Sequence, residues 1–187
     1  MDVKMMIQPT PNPYAKKIIC NLDVINEGKV TFNSCPEAEH VPLAGALMDL
    51  EGVSQVHFFE NVITVTQDGS IPWDDLLESI ETVVRQQLLD HDANFVSHEQ
   101  KRRQALSPEL QAIEAILDKT IRPALQGDGG DVAVLELEGN LLTIRYEGAC
   151  GTCPSSMSGT LMAIQGVLRD EYNPEIEVIP ILDEGYN

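Results

Sequence analysis

Nine residues, Gly148-Ala149-Cys150-Gly151-Thr152-Cys153-Pro154-Ser155-Ser156, restrict the fold and chemistry of this chain more than any other stretch. An alternating run ends at Tyr146 just before them, and from Ser155 to Tyr172 apolar residues recur at helical spacing. The pattern predicts a strand, a tight loop carrying two thiols, and the start of a helix. Pro154 suits the first helical turn, where its missing N–H costs nothing and its fixed φ already fits. Unpaired N–H groups at a helix start favour a thiolate over a thiol, so both cysteines are candidate nucleophiles or metal ligands. Gly148 and Gly151 let the loop fold tightly, and with two residues between them both sulfurs can reach one centre.

Three chemistries fit the loop. Cys150 and Cys153 could be structural thiols, inert or joined in a disulfide; they could be a thioredoxin-like redox pair; or they could bind a metal. Against the redox pair stands the apparent lack of a βαβ approach, since a helix and two strands precede the loop. A metal site needs two more ligands, because zinc and iron–sulfur clusters usually take four from protein. Within the chain the candidates are Cys20, Cys35, His40, His57, His91 and His98, all in the first part of the sequence and irregularly spaced. A second copy of the loop across a two-fold axis would complete a four-thiolate site with no new residue types.

The 187 residues exceed the commonest domain size. A net charge of -18 argues against nucleic acid or anionic membranes as partners and favours basic protein surfaces. No apolar run approaches the roughly 20 residues of a membrane span, and the first residues show no signal or presequence pattern, so a cytoplasmic protein is expected. Thiols in a reducing compartment serve metal or redox chemistry better than a disulfide framework.

In chain order, Met5 to Ile7 is a short apolar start. The prolines of Gln8-Pro9-Thr10-Pro11-Asn12-Pro13-Tyr14 then forbid a helix and suggest a stiff entry loop. Lys16 to Leu22 and Lys29 to Asn33 read as a hairpin-like pair around Asn26-Glu27-Gly28, with Cys20 a small core residue and Cys35 in a loop. A short helix follows from about Pro42 to Glu51, then strands Val53 to Phe59 and Val62 to Thr66 about a Glu60-Asn61 turn. A second helix starts near Pro72, with Trp73 as a core anchor. His91 to Gln104 reads as a polar linker, or a helical extension of the second helix, in which His91 and His98 are solvated and Lys101-Arg102-Arg103 is solvated surface or a docking patch. Ser107-Pro108 caps the next helix, whose stripe is Leu110, Ile113, Leu117, Ile121 and Ala124, and Pro123 should end or bend it near Arg122. The glycines of Gln126-Gly127-Asp128-Gly129-Gly130-Asp131 lack the lysine of a phosphate loop, and their aspartates would repel phosphate, so they predict a tight turn into a strand. Val132 to Leu137 and Leu141 to Tyr146 form a hairpin leading into the thiol loop. The helix beyond it buries Met157, Leu161, Ile164, Leu168 and Tyr172, and Glu175 to Pro180 is a last strand before a loose acidic tail.

From about Ser107 to Ile179 the chain resembles the NifU-like C-terminal domain of iron–sulfur scaffold proteins. The residues that carry this are Arg122-Pro123, Gly129-Gly130-Asp131-Val132 and the Gly148 to Ser156 loop, in that order and spacing. The first part resembles the Nfu N-terminal domain through Thr10-Pro11-Asn12-Pro13 and the run from Gly52-Val53 to Thr66. The resemblance implies an α+β protein of two small domains joined by a polar linker. These are an Nfu-type domain over 1–90, a linker over 91–106, and a cluster-binding domain over 107–187 with helix, hairpin, CxxC loop, helix and strand in order. It further implies a carrier without turnover chemistry of its own, in which Cys150 and Cys153 of two protomers hold an iron–sulfur cluster. The cluster is expected to be [4Fe-4S], with [2Fe-2S] also compatible with four cysteines. Implied partners are a second copy of the chain, upstream cluster assembly proteins and apo client proteins. Cys20 and Cys35 inherit no ligand role. A thiol–disulfide oxidoreductase using Cys150 as nucleophile and Cys153 as resolving thiol is the alternative, and a zinc-bridged dimer is a third possibility.

Overall fold

In the computed structural model, which describes residues 2–150 and 154–181 with the backbone alone for 154–157, the strands form two separate sheets. The first sheet contains β1 (Met5–Pro9), β2 (Ala15–Cys20), β3 (Lys29–Phe32), β4 (Val53–Phe59) and β5 (Val62–Gln67), antiparallel throughout in the order β1-β2-β5-β4-β3. Helices α1 (Cys35–Ala38), α2 (Pro42–Met48) and α3 (Trp73–Gln87) complete this domain. Alternation decides its faces. Val30, Phe32, Val56, Phe58, Ile63 and Val65 share one core with Leu43 and Leu47 of α2 and Leu76, Ile80 and Val84 of α3. The intervening residues Lys29, Thr31, His57 and Thr64 point to the opposite face, where a sheet of this pattern ordinarily meets water. Yet all four are buried. The second domain covers part of that face.

That domain begins with α5 (Pro108–Thr120), capped by Ser107, whose Oγ accepts a hydrogen bond from Leu110 N at 3.3 Å. Helix α6 (Arg122–Gly127) follows, and its proline near the start breaks the helical run as expected. The break also shifts the helical phase, so the buried residues of α6 are Arg122 and Leu125, while Ala124, expected in the stripe, is exposed. Strands β6 (Gly130–Glu138) and β7 (Leu141–Gly148) form the hairpin, and α7 (Pro154–Glu171) carries the chain to β8 (Glu177–Ile181), which pairs parallel to β7. Ile113, Leu117, Val132, Val134, Leu142, Ile144, Ile164 and Leu168 belong to the second core. The expected burial of Met157 lies outside the described side chains.

Other expectations change. Strands β2 and β3 do not pair; β2 lies between β1 and β5, and β3 occupies the far edge beside β4. The connection between them carries buried Val24 and Ile25, whose N–H groups both donate to Glu60 O across the end of the β4–β5 hairpin. Those apolar residues anchor a crossover where a hairpin turn would be polar. The proline-rich entry is the β1–β2 hairpin loop: Pro9 pairs with Lys16, and Ala15 N donates to Asn12 O at 3.0 Å. Cys35 begins the short α1. The segment expected to be a solvated linker contains α4 (His98–Gln104), held by a capping box between Ser97 and Gln100. Arg102 and Arg103 turn inward, to Glu99 and Val134 O and to Glu114 and Asp118 respectively. His91 is also engaged, its Nε2 donating to Val24 O at 2.7 Å.

Candidate functional site

Cys150 sits where β7 has ended and the chain turns toward α7. Its position is set by glycines. Gly148 has φ 59, in the left-handed region, and a Cβ there would stand 2.6 Å from Gly129 O. Ala149 N donates to that same Gly129 O at 3.0 Å, locking the loop onto the turn before β6. At Gly130 the reason for glycine is the thiol: a Cβ would run into Cys150 Sγ and come within 2.8 Å of Cys150 N. The paired glycines before Asp131 therefore serve the cysteine loop, a role beyond the tight turn expected of them.

The turn is clamped by charge. Arg122, fully buried, holds Asp131 Oδ1 at 3.0 Å, Val132 O at 2.9 Å, Glu114 Oε2 at 2.6 Å and Asp118 Oδ1 at 2.5 Å. From the first domain the ammonium of Lys29 reaches Asp131 Oδ1 at 2.6 Å, Glu147 Oε2 at 3.0 Å and Val132 O at 2.7 Å. Burial pushes the Asp131 carboxyl up, but Lys29 and Arg122 outweigh it and hold the group down at about 2. The aspartate read as repelling phosphate is an internal counter-ion. Burial, and secondarily the electrostatic influence of Cys150, push the Tyr146 phenol up to about 12, which keeps a neutral ring beside Cys150.

The first domain also meets the cysteine loop directly. Asn12 Nδ2 donates to Ala149 O at 3.1 Å, and Lys17 Nζ donates to Gly127 O. The His57 ring lies against Gly148, whose Cβ would be 3.2 Å from His57 Cγ. His57 Nδ1 is 2.8 Å from Thr31 Oγ1, and burial pushes its pKa down despite nearby Glu147 and Asp131, so the ring is neutral. A small cleft of about 40 Å³ lies between Pro11 and Asn12 on one side and Leu125, Ala149, Cys150 and Thr160 on the other.

Of the two expected ligands, Cys150 stands at this junction and Cys153 lies outside the described residues. The remaining cysteines and histidines of the first domain are not brought together around it. Cys20 is in the first core, where burial pushes its thiol up to about 11. Cys35 Sγ is 3.7 Å from Met48 O, and His40 and His98 each pack on Phe32. Among the described residues no group of three His, Cys, Asp or Glu side chains is set to hold a metal ion. Sequence reasoning missed Asn12, Lys29 and Arg122 as builders of the site. Only Asn12 and Arg122 carried a signal, as members of the resembling motifs. As expected, helices and the antiparallel β6–β7 hairpin precede the cysteine loop, and beyond it β7, α7 and β8 form a parallel βαβ unit with the loop at its first turn.

Among the described residues, no helix is long and apolar enough to cross a membrane. Residues 113–179 match the family described as "NifU-like domain", and residues 5–92 match "Scaffold protein Nfu/NifU N terminal". A human protein called "NFU1 iron-sulfur cluster scaffold homolog, mitochondrial" is 33% identical over 186 residues, covering 95% of this chain and 71% of that one. The Drosophila persimilis protein of the same name is 29% identical over 181 residues, covering 92% of this chain and 62% of its own length. The chain thus spans about three fifths of several such relatives. A yeast structure titled as a NifU-like protein aligns at a TM-score of 0.45 with 18% identity, over 52% of this chain and 87% of that one. With both family regions present in order and a 33% identical relative aligned along nearly the whole length, the chain belongs to the Nfu/NifU-like scaffold family.

Proposed function

We propose that this protein is an iron–sulfur cluster carrier that binds its cargo through Cys150 and Cys153, two chains together supplying four thiolates, and passes it to apo-proteins. The observation that carries this is Cys150 seated on Gly130 at the first turn of a βαβ unit, in a chain of the scaffold family. A thiol in that place, followed two residues later by a second, offers two soft ligands from one loop, and a four-coordinate cluster then calls for a second loop. Transfer is ligand exchange. A client thiolate forms an Fe–S bond as the Fe–S bond to Cys150 or Cys153 breaks, and the released thiolate takes up the proton that the client thiol gave up. The iron and sulfide change hands without a redox step, so no turnover chemistry of the carrier's own is required. The net charge of -18 favours encounter with basic client or delivery surfaces.

Anaerobic reconstitution followed by iron and sulfide analysis on a sizing column tests this. About four iron and four sulfide per pair of chains is expected, falling to background in Cys150→Ala and in Cys153→Ala. Full occupancy in the Cys150 variant would sink the two-loop site. A colourless monomer that reduces insulin disulfides would instead identify a thiol–disulfide oxidoreductase, and zinc in place of iron would identify a structural dimer.

A further inference from the structure

We propose that the N-terminal domain is a displaceable cap on the Cys150 loop, holding the first ligand cysteine away from a second copy of the chain until the two domains part. Three observations carry this. Cys150 is only 8% exposed, although a thiol shared between two chains and surrendered to a third must be reachable. The first domain supplies one wall of the cleft beside it, through Pro11 and Asn12, and Asn12 is bonded to the carbonyl of the residue before the cysteine. The covering face is largely polar: Lys17, Lys29, Thr31, His57 and Thr64 stand on it with the half-buried Ile19, Phe59 and Val62, and the sheet's other, apolar side is already satisfied by its own helices.

Such a face can detach. Lys29 ties it to the second domain by two ion pairs and a hydrogen bond, and all three partners belong to the segments that flank the cysteine turn, β6 and β7. Water can replace each of these on opening, and the first domain's core, on the other side of the sheet, stays covered. Helix α4 is suited to remain as the tether. It is bonded to the first domain through Ser97 Oγ to Lys29 O and Gln100 Nε2 to Glu27 O, and to the second through Arg102 to Val134 O. The consequence for cluster traffic rests on the carrier reading. The cap itself does not, and it is tested on the apo chain.

Two variants of the full-length protein loosen the cap without touching a cysteine. Lys29→Glu sets a carboxylate against Asp131 and Glu147. Thr64→Arg drives a long side chain into Gly129, where a Cβ would stand 3.0 Å from Thr64 Oγ1. The readout is the rate of iodoacetamide alkylation at each cysteine, followed by peptide mass spectrometry. Exposed Cys35 serves as a reference for intrinsic reactivity, and buried Cys20 as a guard on the first-domain fold. Because a protected thiol reacts through its open state, Cys150 is expected to react about ten-fold faster or more in both variants, with Cys20 unchanged. An unchanged Cys150 rate in both variants would overturn the cap, since burial would then come from the cysteine's own domain. A parallel rise at Cys150 and Cys20 would overturn it as well, because the event would be global unfolding. Iron and sulfide loading is measured separately on the same samples. A wild-type chain that takes no cluster ends the carrier reading and leaves the alkylation result to stand on its own.

Discussion

Replacing Arg122 with methionine probes the clamp beneath the cysteine turn. The guanidinium is 2% exposed and its partners include the buried carboxylates of Asp131 and Glu114. Methionine fills much of the same volume, so packing is largely kept and the loss is electrostatic. Asp131 retains Lys29, and Glu114 retains Arg103 at 2.9 Å, so neither is left wholly uncompensated. Breaking one partner out of a buried ion pair typically costs about 3–5 kcal/mol, and the surviving partners place this case at the lower end, about 3 kcal/mol. That is a large part of the roughly 5–15 kcal/mol that holds a domain folded. Urea denaturation followed by far-UV circular dichroism should show an early transition for the second domain. The fluorescence of Trp73, the single tryptophan and a first-domain residue, should shift less. Acid should narrow the gap between variant and wild type, because the carboxylates that lost Arg122 protonate more readily and become neutral. Asp118→Asn is the contrast, since Asp118 is 45% exposed and its removal should cost under about 1 kcal/mol. A loss below about 1 kcal/mol for Arg122→Met, or one that grows as pH falls, would refute the clamp.

Asp131 gives the wild-type protein a specific acid sensitivity. Its carboxyl lies at about 2 in the folded chain against an ordinary 3.8, so its contribution, on the order of 2 kcal/mol, is complete above about pH 4 and lost as pH falls through about 2. Thermal melts at pH 7, 4 and 2 should show this loss, and Asp131→Asn should flatten it. Gly130→Val should displace Cys150, destabilise the second domain by about 1–3 kcal/mol and remove cluster loading. Gly166→Ala on α7, where a Cβ meets nothing within 4 Å, should leave loading intact and add about 1 kcal/mol, read by urea titration beside it.

Local pattern was enough for the second domain. Ser107-Pro108, the break at Pro123, the two-residue turn at Gly139-Asn140 and the apolar spacing of α7 each write a geometry into neighbouring residues. In the first domain the same logic failed at β2 and β3. Their partners, β5 and β4, lie more than twenty residues further along, and alternation within a strand records its faces but not its neighbour. The cysteine loop was legible because two thiols and two glycines are rare together in so short a stretch. Its surroundings were not. Lys29 is a strand lysine in an alternating pattern that ordinarily signals solvent, and only the placement of the second domain turns its ammonium into a buried counter-ion. Arg102 and Arg103 were misread as solvated for the same reason: a charge run does not reveal that Glu99, Glu114 and Asp118 will face it.

The chemistry of the junction follows from what its parts must survive. Between obligate partners, an apolar interface is the common solution, and separating it would leave adhesive surface in water. Here the first domain's helices bury the apolar side of its sheet, and the side turned to the cysteine loop carries mainly lysines, threonines and a histidine, with Ile19, Phe59 and Val62 among them. Buried ion pairs add little net stability, but they tolerate few alternative alignments, so Lys29 between Asp131 and Glu147 fixes register more than it adds affinity. An interface that is exact in position and modest in strength is what the cap proposed over Cys150 requires. It places Asn12 on the Ala149 carbonyl when closed, and it leaves two soluble faces when open.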